Sequence, residues 1–288
     1  MESEVSRQNR IAAVLPKHRE LFYGGSWRAP VSGGRFEVRN PATGDSLGEV
    51  SEAGPEDVDQ AVRAAHEAFG AWRRTTPLER AAKLRETARR LRANIAELAL
   101  LDAADCGNPV RTMTGDVNVA AAFLDYFAGL VTEIKGETIP MGPRVVNYTM
   151  REPLGVAVRI VPFNHPVNGA FIESAVFADV RQSMRVATEE SFGPVMCVIR
   201  WDDEEQMLAD VNSVEQGLTA SIWTRDLATA HRAAARVEAG YVWINASSSH
   251  FLGVPFGGFK QSGFGRAECF EELLSYTQVK NVHVKLEP

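Results

Sequence analysis

Residues Arg151 to Pro166 read REPLGVAVRIVPFNHP, and this stretch decides the fold class. Its centre, Gly155 to Val161, is mostly apolar and rich in valine and isoleucine. Such a run fits a strand buried on both faces, as in a parallel sheet. It ends at Pro162-Phe163-Asn164-His165-Pro166, a turn by composition. A second strand, Val145 to Met150, precedes it across Glu152-Pro153.

Outward from this stretch, strands and helices alternate. On the C-terminal side, strands are expected at Val195 to Arg200, Ala220 to Trp223 and Tyr241 to Asn245, with helices at Glu204 to Val211 and Leu227 to Ala239. Val279 to Lys285 alternates apolar and polar residues, which marks a closing strand with one polar face. On the N-terminal side, Leu21 to Tyr23 reaches Gly24-Gly25 and returns through Ser26-Trp27, a short hairpin. Arg35 to Val38 leads into the turn Asn40-Pro41-Ala42-Thr43-Gly44. A first helix starts at Pro55 and runs to Trp72, with Val58, Val62, Ala65 and Phe69 on one face. Thr76, Pro77 and Glu79 make a capping box for a second helix, whose stripe Leu84, Ala88, Leu91, Ile95, Leu98, Leu101 continues to the stop at Gly107-Asn108-Pro109. A third spans Thr114 to Leu130, and Met1 to Glu20 reads as a polar, loosely packed arm. The alternation predicts an α/β protein.

Composition narrows the function classes. The 288 residues carry 31 Lys+Arg against 37 Asp+Glu, a formal charge of −6. Apolar residues make up 45%, enough for a real core. No run of about 18 apolar residues exists to span a membrane, and the polar start lacks the apolar core of a secretory signal. The expected compartment is the cytoplasm. The arginine-rich run Arg80 to Arg92 is interleaved with Glu86 and reads as a solvated helix face, so no nucleic-acid partner is expected.

The motif search is mostly negative. There is no GxGxxG and no GxxxxGK[ST]. Six histidines show no ligand spacing, so no metal is expected. Cys106, Cys197 and Cys269 lack CxxC spacing and fit reduced structural thiols.

Several segments together resemble the aldehyde dehydrogenase superfamily. They are NPATGDSLGEV at Asn40 to Val50, DVDQAVRAAHEAFGAW in the first helix, and REPLGVAVRIVPFNHP. ATEESFGPV at Ala187 to Val195, PFGGFKQSGFGR at Pro255 to Arg266 and SYTQVKNVHVKL at Ser275 to Leu286 follow in the family's order. The flavour is closest to the betaine-aldehyde-like and general-substrate branch. The resemblance runs from about Leu21 onward but is broken once. Between about Val167 and Gly169 a piece on the order of 200 residues, more than one ordinary domain, has no counterpart.

The resemblance implies an incomplete Rossmann-type dinucleotide-binding domain (21–134 and 153–168) behind the polar arm (1–20). It also implies oligomerisation elements (135–152 and 273–288) and the C-terminal part of a catalytic domain (169–272). The family reaction is NAD(P)-dependent oxidation of an aldehyde to a carboxylic acid. Asn164 matches the family's oxyanion-donating asparagine, although an asparagine there also suits a turn cap. Glu190 matches the glutamate on the nicotinamide ribose, and Phe192 the aromatic beside the nicotinamide. Phe256, with His250 and Phe251 near it in sequence, matches the substrate channel. The family's nucleophilic cysteine, general-base glutamate and phosphate loop belong to the missing piece. Ala267 stands where the family pattern has Glu, which removes a charged partner. The expectation is a member that no longer oxidises aldehydes by itself and whose NAD(P) binding is doubtful. The alternatives are a module that pairs with itself or with a full-length relative, or an enzyme using Cys197 or Cys269. Without its neighbours, the strand Gly155 to Val161 should leave an open sheet that favours association.

Overall fold

The computed structural model describes residues 4–161 and 173–286. It opens with α1 (Glu4–Val14), β1 (Leu21–Tyr23), β2 (Ser26–Arg28), β3 (Arg35–Arg39) and β4 (Ser46–Ser51). The helices α2 (Pro55–Trp72), α3 (Pro77–Ala93), α4 (Ile95–Cys106) and α5 (Val110–Gly129) follow, then β5 (Thr138–Ile139) and β6 (Val145–Pro153). Next come β7 (Ala175–Phe177), α6 (Arg185–Thr188), β8 (Val195–Cys197), α7 (Glu204–Asn212), β9 (Gln216–Gly217) and β10 (Thr219–Ile222). The chain closes with α8 (Leu227–Arg236), β11 (Tyr241–Ile244), β12 (Phe259–Lys260), α9 (Phe270–Ser275) and β13 (Thr277–Lys285). It divides into two units, Met1–Phe171 with Tyr276–Pro288, and Ile172–Ser275.

In the first unit, local chemistry explains most elements. Gly24 and Gly25 both have positive φ, +61° and +78°, which a two-residue hairpin turn between β1 and β2 demands. Helix α2 starts at Pro55 behind Gly54. Asp57, only 1% exposed, accepts from the Gly54 N–H at 2.9 Å and from the Val31 N–H at 3.0 Å. One buried carboxylate thus caps the helix and anchors the loop after β2. At α3, the Thr76 hydroxyl accepts from the Glu79 N–H at 3.2 Å, and the Glu79 carboxylate accepts from the Thr76 N–H at 2.7 Å.

Four expectations for this unit need correction, the last of them in its sheet. The polar arm contains a helix, α1, which packs on α4. The long second helix is two helices, because Asn94 leaves helical geometry (φ −116°, ψ 20°) and α4 restarts at Ile95. The break lets α3 and α4 each pack on α5 through small residues, with Ala81, Ala88, Ala99 and Ala121 essentially inaccessible. The apolar stripe of α2 is not its covered face. Val58 and Val62 are exposed, whereas Gln60 accepts from the Tyr23 hydroxyl of β1 at 3.0 Å.

The unit's sheet has the order β13-β6-β5. β13 and β6 pair antiparallel without a break, from Thr277↔Pro153 to Lys285↔Val145, which joins the two ends of the unit. The expected strand Gly155 to Val161 does not form. β6 ends as the Leu154 N–H donates to Tyr276 at 3.0 Å and Gly155 turns with φ +117°. Val158, Ile160 and Val161 are 76%, 90% and 69% exposed. The reason is the parallel ladder itself, which needs a strand alongside and cover on both faces. No described element supplies either.

The second unit holds three two-stranded sheets, β7-β8 and β10-β11 parallel and β9-β12 antiparallel. β10-α8-β11 is a complete βαβ unit. Its helix is capped by Asp226, which accepts from Ala228 and Thr229 N–H groups at 3.0 and 3.3 Å, and it packs on both strands with Ala230 and Ala233 buried.

Two measurements check this account. Asp57→Ala removes the carboxylate that accepts from two part-buried N–H groups, and should cost about 2–3 kcal/mol of stability by urea denaturation. Hydrogen bonds from Arg89 and Arg90 hold the Glu86 carboxyl at about 2, below its ordinary 4.5. A depressed carboxyl stabilises above its unfolded value and loses that effect as pH falls toward its folded one. The urea midpoint of Glu86→Gln should therefore lie below the parent's at pH 6 and converge on it near pH 2.

Candidate functional site

Glu190 and Phe192 lie on the loop between α6 and β8. The loop begins where Arg185 forms a two-pronged ion pair with Glu189, with both nitrogen–oxygen distances 2.7 Å. Glu190 is exposed and Phe192 is 70% exposed. An exposed carboxylate and an exposed ring on one loop provide no concave wall for a dinucleotide. As they stand, Glu190 and Phe192 do not form a cradle for a nicotinamide cofactor. Asn164 lies outside the described residues, as do the Pro162–Pro166 turn and the Val167–Gly169 junction.

The structure does bring His250 and Phe256 together, with ring centroids 4.4 Å apart. They meet the outer face of β11, where alternation puts Tyr241 and Trp243 on one side. Tyr241 lies 6.0 Å from His250 and 5.7 Å from Phe256, and Trp243 lies 6.0 Å from His250. His250 Nδ1 sits 3.2 Å from both carboxylate oxygens of Glu268. The connecting loop is held by the Trp243 indole N–H, which donates to Ser249 at 2.9 Å, and by the Gly253 N–H, which donates to Glu268 at 2.9 Å. Phe256 and Ala267 exchange backbone bonds at 3.0 and 2.7 Å, fixing the base of the cluster. Phe251 is not among these rings and points outward, 64% exposed.

Sequence reasoning missed Glu268, Tyr241 and Trp243. The i, i+2 aromatic pair in Tyr241-Val242-Trp243 was a legible signal for a shared face. Glu268 was not, because only the loop's path sets it beside His250. The charge expected to be lost at Ala267 is present one residue later.

An imidazole on a carboxylate can exchange protons, but acyl chemistry also needs an activated nucleophile. Cys269 follows Glu268 in sequence, yet it is fully buried, and burial pushes its thiol up. Cys106 is buried against Ala99 and Met113. Cys197 is half-buried in β8, and its thiol donates to Val186 at 3.3 Å. Among the described residues, no group of three or more His, Cys, Asp and Glu is placed to hold a metal ion. None of their helices is long and apolar enough to cross a membrane.

The chain is an α/β protein with a parallel βαβ unit and a long β6–β13 ladder. The sequence profile of the aldehyde dehydrogenase family matches residues 27–170 and again 167–282, and the chain belongs to that family. Aldehyde dehydrogenase tropH of Talaromyces stipitatus is 28% identical over 490 aligned positions, covering 96% of this chain and 95% of the relative. At least 202 of those positions (490 − 288) have no residue of this chain opposite them. Betaine aldehyde dehydrogenase 1 of Rhizobium meliloti is 48% identical over 128 residues, 44% of this chain and 26% of that one. The fold resembles the betaine aldehyde dehydrogenase of Staphylococcus aureus solved in complex with NAD+. Its TM-score is 0.89 at 18% identity, over 96% of this chain and 97% of that one. The α/β, aldehyde dehydrogenase-like fold class and the discontinuity near Val167–Gly169 are thus both borne out.

Thiol accessibility checks the cysteine assignments. In the native protein a disulfide-exchange reagent at pH 8 should modify at most Cys197 quickly. Cys106 and Cys269 should react only as the protein unfolds, and all three at once in guanidinium.

Proposed function

We propose that this chain is an aldehyde dehydrogenase family member that does not by itself oxidise aldehydes. The observation that carries the reading is the position of the gap. It falls between the two family-matched stretches, where the resemblance places the nucleophilic cysteine, the general-base glutamate and the phosphate loop. The family reaction needs a thiolate to attack the carbonyl, a donor for the oxyanion, a base to activate water and NAD(P) to take the hydride. Of these, Asn164 supplies an amide donor, worth a few kcal/mol in a complete site and unable to move electrons. Glu190 and Phe192 are vestiges of the cofactor clamp, and His250, Phe251 and Phe256 of the substrate channel. The thiols support this reading, since Cys106 and Cys269 are buried and Cys197 is half-buried in β8.

A second reading, an association module, is favoured by the three-stranded sheet. β13 lies at its edge with Val279 and Val284 exposed, and an open edge accepts another strand. The partner on this reading is a second copy or a related chain.

A steady-state assay with betaine aldehyde and simple aliphatic aldehydes tests the first reading. No NADH or NADPH formation above background is expected, and a titration should show no saturable binding of either cofactor. Turnover abolished by Cys197→Ala or Cys269→Ala would overturn it.

A further inference from the structure

The segment Leu154 to Val161 combines a strand-like sequence with no strand. It carries Leu154, Val156, Val158, Ile160 and Val161, all exposed, and belongs to no sheet among the described residues. It lies just before residues 167–170, where the two family-matched stretches meet and the resemblance places its gap. The sequence on the far side of that gap shows the same condition independently. β7 and β8 form a parallel pair in which the registered partners Val176 and Met196 are 61% and 57% exposed. Isolated two-stranded parallel sheets with bare apolar faces are not found in folded domains.

We infer that Leu154 to Val161 is a docking segment for a polypeptide carrying the α/β portion of the family that this chain lacks. That partner would add a strand alongside the segment and cover its apolar side chains. A second copy of this chain is the poorer occupant. It would offer the same unpaired segment, and its strands and helices are the ones that leave that segment bare in this chain, whereas a parallel strand requires cover on both faces. A segment of about 200 residues is the size of a whole domain and can supply both. The inference concerns binding, and its readout is independent of whether the chain alone turns over an aldehyde.

The test is co-expression of the tagged chain with the segment of tropH that has no counterpart here. The expected result is co-purification at one to one. Backbone amides of Val156 to Val161 should exchange at least tenfold more slowly in the complex than in the free chain. Because Val158 and Ile160 are exposed in the free chain, the double variant Val158→Asp/Ile160→Asp should keep the parent's circular dichroism and urea midpoint. It should recover at least tenfold less of the segment. Several outcomes would overturn the inference: a segment that stays insoluble beside the parent chain, or one that is soluble but unbound. Equal recovery with the double variant, amide exchange unchanged in a complex, or a chain that dimerises through Val158 and Ile160 without capturing the segment would overturn it too.

Discussion

A parallel β-strand has no use for a single neighbour. Its slanted hydrogen bonds need strands alongside, its crossovers need helices, and those helices bury both of its faces. This constraint sorts the chain into parts that hold together and parts that do not. β10-α8-β11 survives because strand, crossover helix and second strand are all present in one continuous piece. The β6–β13 ladder survives because both partners lie outside the gap. The helical layer α3–α4–α5 survives because its contacts are made within one stretch of sequence. Leu154 to Val161 and β7–β8 border the gap, and there apolar side chains meet solvent. Each large one left exposed forgoes roughly 1.5–3 kcal/mol of burial.

The same constraint governs the chemistry. In a fold wound around a parallel sheet, ligands sit where strands end and loops converge. On the function proposed above, the missing block of such a sheet carried the site and the pieces left behind are its rim. Glu190 and Phe192 stand on an exposed loop. His250, Phe256 and Glu268 remain assembled because β11 and the Phe256–Ala267 bridge hold them within one unit. That cluster keeps its geometry within its own unit.

How much was legible in the sequence varied with the range of the interaction. Pro55 behind Gly54, the Thr76–Glu79 box and the Gly24-Gly25 turn act over a few residues, and the structure follows each. The break at Asn94 was hidden because the apolar stripe continues through it. It is the packing of two helices on α5 that requires the kink. Val58 and Val62 form a proper amphipathic face that the described residues leave exposed, and periodicity carries no information about whether a partner element exists.

The sequence by itself determined the family, the α/β class and the place of the break, since these rest on ordered local motifs and chain length. Only the tertiary structure decided that Gly155 to Val161 stays outside any sheet, that Asp57 ties helix α2 to the loop at Val31, and that Glu268 meets His250. In each case the deciding partner is distant in sequence or missing from it. A residue pattern can state that a strand or a charge wants a neighbour, but only the folded chain determines whether one arrives.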